Sequence, residues 1–145
     1  RLANSSIRVE ATYSTQTLIL CFDPDISPVN HNLIANAIDA MRPGGRLLVR
    51  AHDATDRSNG YAAVRHGIRI TIADTGHGMS PEVRARLFEP FYTTKDLNGT
   101  GLGLWISAGI VKRHQGRLTF RSSQHPIHHG TIFSLFLPWA ETPSP

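Results

Sequence analysis

Cysteine is almost missing from this sequence: Cys21 is the single one in 145 residues, so no internal disulfide can staple the fold. Standing in the apolar run 18–22, it is expected to act as a small buried hydrophobe rather than as a mark of secretion. No apolar stretch approaches the roughly 20 residues that span a bilayer, and no signal peptide is visible. No methionine opens the chain at Arg1, so a longer protein is expected, with any membrane segment lying outside this stretch. Repeats and low-complexity tracts are absent too. Lysine is scarce: two lysines stand beside thirteen arginines, against eleven acidic residues, for a net charge of +4. With a pI near 9.8 but no long basic run, the charge gives little reason to expect nucleic acid, and a polyanionic nucleotide satisfies it equally.

What is present reads as one ordinary α/β domain, 40% hydrophobic and 18% charged, long enough to bury a core unaided. Ile7, Val9, Ala11 and Tyr13 alternate with polar residues and predict a strand, paired as an antiparallel hairpin with a second strand over 17–22. Ser27-Pro28 predicts a helix start, with serine as N-cap, and the helix runs to about Met41 before Pro43-Gly44-Gly45 stops it. A strand over 46–52 follows. The polar segment 53–67 reads as a loop or a long hairpin tip, and Ile68, Ile70 and Ile72 mark a strand ending at Asp74. Ser80-Pro81 caps a short helix, 88–100 reads as a loop, and 102–114 as a helix closed by Gly116. Two strands, 117–122 and 131–137, and a frayed tail from Glu141 complete the chain.

Four constellations carry chemistry. On the first long helix, at about 100° per residue, Leu33, Ile34, Ala37, Ile38 and Met41 share one face while Asn32, Asn36 and Asp39 share the opposite one. Two asparagines a turn apart mid-helix are mediocre helix formers, but an amide oxygen suits Mg²⁺ that bridges to phosphates. Next, Asp74-Thr75-Gly76-His77-Gly78-Met79 puts a carboxylate at a strand end, able to accept from an exocyclic amine, with glycines that let backbone approach a flat ring. Third, Asn98-Gly99-Thr100-Gly101-Leu102-Gly103-Leu104 brings backbone N–H groups and a helix N-terminus together, a phosphate-binding arrangement. It is neither a dinucleotide fingerprint nor a P-loop. Fourth, Phe88-Glu89-Pro90-Phe91-Tyr92-Thr93-Thr94-Lys95 pins a loop with aromatics and offers Thr94 and Lys95 to a phosphate tail. His125, His128 and His129 fall in a turn without cysteine or carboxylate partners, and read as a solvated loop rather than a zinc site.

In this order, the four segments resemble the N, G1, F and G2 boxes of sensor histidine kinases, over about 5–138. The helical wording is closest to the nitrogen-regulation type. The resemblance implies a Bergerat fold: an α/β, two-layer sandwich with a mixed, mostly antiparallel sheet packed against helices, and an ATP lid over 88–98. It implies one catalytic, ATP-binding domain over 1–140 with a tail at 141–145, and the cofactors ATP and Mg²⁺. Asn36 is then the magnesium ligand, with Asn32 beside it in the catalytic pair. Asp74 holds the adenine amine, with Gly76, Gly78, Met79 and Thr131 around the ring, and Asp39 and Ala40 on the facing helix. Thr94, Lys95, Gly99, Thr100, Gly101, Leu102, Gly103 and Leu104 face the phosphates.

Two absences refine this. Hydrolysing relatives of the same fold carry a glutamate one turn before the magnesium asparagine; here Asn32 stands there and cannot act as a base. None of the eight histidines has the family's His-Glu-x-x-Asn-like context. The sequence therefore implies transfer of the γ-phosphate to a histidine on a separate phosphoacceptor domain, in a full-length homodimer that serves a response regulator. A cytoplasmic location is implied, with the longer protein free to be membrane-anchored. A regulatory nucleotide-binding module and a hydrolysing ATPase are the alternatives.

Overall fold

The computed structural model describes residues 6–13, 23–41, 44–57, 64–92 and 103–139. The expected strand over 17–22, Cys21, most of the lid and the C-terminal tail lie outside them. Strand β1 (Ser6–Thr12) leads to helix α1 (Ser27–Ala40), then strands β2 (Gly44–Asp56) and β3 (Arg65–Asp74). Helices α2 (Pro81–Arg86) and α3 (Gly103–Arg113) and strands β4 (Arg117–Gln124) and β5 (His129–Pro138) complete the described chain. The five strands form one sheet in the order β1-β2-β3-β5-β4. β1 joins β2 in parallel, and the other three pairings are antiparallel.

Side-chain alternation gives the sheet two unlike faces. One carries Leu47 and Ala51 of β2, Ile68, Ile70 and Ile72 of β3, and Phe133, Leu135 and Leu137 of β5. Helix α1 closes this face with Val29, Leu33 and Ala37 and, just past its end, Met41, and α3 adds Val111. Each fully buried aliphatic chain is worth roughly 1.5–3 kcal/mol, so this row-on-helix core accounts for the layered fold. α1 and α3 also pack against each other.

The opposite face is built by the alternate residues. It holds Arg8 on β1, Arg46 and Arg50 on β2, and Arg65 and Arg69 on β3, with Arg117 and Arg121 on β4. Phe136 of β5 also points to this side yet is buried, because the guanidinium groups of Arg65 and Arg69 lie over its ring at 5.4 and 5.9 Å. No described helix covers this face.

Several local expectations need correction. The segment read as a loop or a long hairpin tip over 53–67 is strand at both ends: β2 continues to Asp56 and β3 begins at Arg65, paired to each other, while 58–63 lie outside the described residues. Ser27 is the first helical residue rather than the cap. Ile26 takes the N-cap position with no side-chain hydrogen bond, and the Asp23 carbonyl accepts from the Ile26 and Ser27 N–H groups instead. Ser80 does cap α2, accepting from the Val83 N–H at 3.2 Å. At the end of α3 the left-handed residue is Gln115, at φ 58°. The Gln115 and Gly116 N–H groups return to the Lys112 and Val111 carbonyls, the paired bonds of a Schellman turn.

Candidate functional site

At one end of the core face, the register aligns Leu47, Asp74, Thr131 and Ser122 side by side across β2, β3, β5 and β4. Three of the four are polar, where the rest of the face is apolar. Asp74 and Thr131 are both buried. The Asp74 carboxylate is oriented through one oxygen: Oδ1 accepts from the Gly76 N–H at 2.8 Å and the Thr131 N–H at 3.3 Å. Among the described residues Oδ2 has no partner, so it is the oxygen presented to an incoming donor. Burial pushes the Asp74 pKa above its ordinary value. The two backbone N–H bonds and nearby His77 oppose the shift without cancelling it.

The loop after Asp74 is held from both sides. The Ala40 carbonyl, at the end of α1, accepts from the His77 N–H at 3.2 Å, and a side chain at Gly76 would strike that same carbonyl. Gly78 has φ 75°, and a Cβ there would collide with the Ser123 carbonyl, so only glycine suits the position. Met79 donates its N–H to Ser122 Oγ at 2.8 Å, and Ser122 Oγ also meets Thr131 Oγ1 at 2.8 Å. Arg84 of α2 donates to the Ser122 carbonyl at 3.0 Å.

Two contributors escaped the sequence reading. Ser122 is the hub between Met79 and Thr131, and its signal was there: Leu118, Phe120, Ser122 is an inward alternation that turns polar at its end. His129, expected in a solvated loop, instead brings Nδ1 to 2.6 Å from the Gly76 carbonyl. Its partner lies 53 residues away, and no local pattern announces it.

Of the helical residues, Ala40 meets the loop after Asp74. Asn32, Asn36, Asp39 and Ala40 are half-buried rather than fully solvated, and Asn36 and Asp39 each have an interaction with the rest of the chain. Asn32 faces α3: its Nδ2 donates to the Gly103 carbonyl at 3.3 Å and to Ser107 Oγ at 3.1 Å. Leu104 packs against the core cluster. Thr94, Lys95, Gly99, Thr100, Gly101 and Leu102 lie outside the described residues. The aromatic run before them is anchored where Phe88 meets Phe120 edge-on at 5.7 Å, and Phe120 in turn meets Phe133 at 5.8 Å. Arg86 lies 4.3 Å over the Tyr92 ring, whereas Phe91 is exposed with φ 66°.

Residues 24–141 match the family described as "Histidine kinase-, DNA gyrase B-, and HSP90-like ATPase". The chain belongs to this family, as a domain of the histidine kinase type. It is 37% identical over 120 residues to sporulation kinase E of Bacillus subtilis (strain 168), covering 83% of this chain and 14% of that protein. It is 33% identical over 135 residues to the sensory histidine kinase/phosphatase NtrB of Escherichia coli O157:H7, covering 92% of this chain and 37% of NtrB. The chain thus spans well under half the length of these relatives. Among solved structures, the mycobacterial sensor histidine kinase MprB superposes with a TM-score of 0.66 at 23% identity, covering 94% of this chain and 84% of that one. The catalytic domain of the histidine kinase ThkA gives 0.63 at 25% identity, covering 95% and 81%. The mixed five-stranded sheet under helices is the fold these share. No helix among the described residues is long and apolar enough to cross a membrane.

Proposed function

We propose that this domain binds ATP with Mg²⁺ at the Asp74 end of the core face and transfers the γ-phosphate to a histidine on a separate domain. The observation that carries the reading is the carboxylate of Asp74, fixed through Oδ1 and presenting Oδ2 beside a glycine-lined backbone. A buried carboxylate with one oxygen committed and one available fits the exocyclic amine of adenine. Gly76 and Gly78 leave the ring edge free of side chains, and Thr131 with Ser122 supplies hydroxyls for its other polar edge.

Asn36 would hold Mg²⁺, whose charge would offset that of the β- and γ-phosphate oxygens. The remaining N-box positions, Asp39 and Ala40, line the facing helix, and Thr94, Lys95 and residues 99–104 would enclose the phosphates. Residues 1–140 would then form one nucleotide-binding unit. Asn32 supports transfer over hydrolysis: it is an amide, and its N–H group is engaged with the Gly103 carbonyl. Transfer by positioning and charge neutralisation needs no base from this helix.

The test separates binding from transfer. ATP affinity by calorimetry should fall by at least about tenfold in Asp74→Ala, the scale of one lost charge-assisted hydrogen bond. Incubation with labelled ATP should leave this domain unlabelled and should label an added histidine-bearing helical hairpin from the same protein. Phosphate release by the domain alone, without labelling of the hairpin, would favour a hydrolysing ATPase instead.

A further inference from the structure

The sheet face that no described helix covers collects seven of the thirteen arginines and, among the described residues, no lysine. Two carboxylates, Glu10 and Asp56, stand among them. The face is therefore strongly positive, in a chain whose arginines look scattered when read in order.

Part of this charge has internal work. Arg46 pairs with Glu10 at 3.0 Å, and Arg65 with Asp56 at 2.7 Å. Arg65 and Arg69 also cover Phe136. Arg8, Arg50 and Arg121 are different: they are exposed, and among the described residues they have no hydrogen-bond, ionic or aromatic partner. Between them runs an apolar strip, Leu48, Ala73 and Ile132, adjacent across β2, β3 and β5. Ile132 is 42% exposed. Arg121 is the next residue in that row, on β4, and Arg50 lies two residues, roughly 7 Å, along β2 from Leu48.

We infer that this face is a docking surface for an acidic polypeptide whose carboxylates flank an apolar side chain. Charge complementarity requires an anionic partner, and four further features favour protein among anions. An apolar centre inside a charged rim is the anatomy of a protein–protein contact. Arginine without lysine matches the composition of such interfaces, where the planar fork pairs with carboxylates in two-point geometry. The face already pairs guanidinium with carboxylate twice within itself. Among the described residues of this face the one Phe, Tyr or Trp ring is that of Phe136, which lies buried beneath arginines rather than free to stack on a nucleic-acid base.

Fluorescence anisotropy with a labelled Glu/Leu copolymer tests the inference at fixed, near-physiological salt. The unaltered chain should bind the copolymer more tightly than polyglutamate, duplex DNA or phosphatidylglycerol vesicles. The double change Arg50→Glu with Arg121→Glu should weaken binding by about tenfold or more, as for lost interfacial charge pairs. Lys112→Glu with Arg113→Glu, an equal charge change at the end of α3, should leave it within about twofold, since charges beyond a Debye length are largely screened. Ile132→Thr should erase the preference for the copolymer over polyglutamate. Equal losses in the two charge variants would reduce the effect to net charge and overturn the inference. So would no binding, or tighter binding of DNA or of vesicles. Should the glutamate pair fail to melt cooperatively, Arg50→Gln with Arg121→Gln reads the same face more gently.

Discussion

Asp74 joins two opposed demands in one side chain. Its burial favours the protonated acid, whereas the adenine amine of the proposed function would be best accepted by the ionised form. The folded chain holds the proton more tightly than the unfolded one, so the ionised carboxylate opposes folding at neutral pH. That cost disappears as pH falls through the raised value towards 3.8. Asp74→Asn should therefore melt at a higher temperature than the unaltered chain at neutral pH, with the gap closing in acid, while its ATP affinity is lower. ATP affinity of the unaltered chain should begin to decline at a higher pH than an ordinary aspartate would dictate. Calorimetric titrations and melting curves over the same pH series check both. Gly78 gives a second prediction at this scale. Gly78→Ala must hold φ near 75° and displace the Ser123 carbonyl, costing about 1–3 kcal/mol from the backbone conformation alone; denaturant titration measures it.

Between elements, Asn32 is the tie from α1 to the start of α3. Asn32→Ala loses both hydrogen bonds and should cost about 1–2 kcal/mol. Asn32→Asp should cost more, because a carboxylate would face the Gly103 carbonyl with nothing to donate. The order of the two melting temperatures decides the point. Ser80→Ala should cost about 1 kcal/mol through the lost cap of α2. The helical elements were legible because α1 repeats its apolar residues at helical spacing and α2 begins with serine and proline. The far ends of β2 and β3 were not. Asp53, Thr55 and His66 belong to a ladder that extends past the helices, so the alternation that marks a half-buried strand fades there. The place of β1 also needed the third dimension: its partner in the described sheet is β2, in parallel, reached through a helix rather than a tight turn.

For the whole molecule, Leu135→Ala in the centre of the core should cost about 2–5 kcal/mol, checked by denaturant unfolding. The geometry of the candidate site was legible at Asp74, Gly76, Gly78 and Thr131, which the structure brings together at one end of the sheet. Ser122 and His129 were harder to see, since a strand register and a loop contact join them to segments far away in sequence. The basic face was hidden for a related reason. A pleated strand turns every second residue to the same side, so arginines separated by four residues along β2, β3 and β4 meet only after the strands align.

The row that runs from Leu47 to Ser122 has a consequence for synthesis. Asp74 receives one of its two N–H bonds from Thr131, and Thr131 belongs to β5, the last strand of the described chain. Because β3 lies between β2 and β5, a nascent chain that has left the ribosome only through β4 can pair β2 with β3 but leaves the second edge of β3 open. The aspartate is then incompletely oriented, and the apolar side of the sheet lacks one of its central rows. Nucleotide should thus be unable to assist the early stages of folding, and a chain halted just before Thr131 should bind none, as a series of stalled ribosome complexes titrated with fluorescent ATP would reveal.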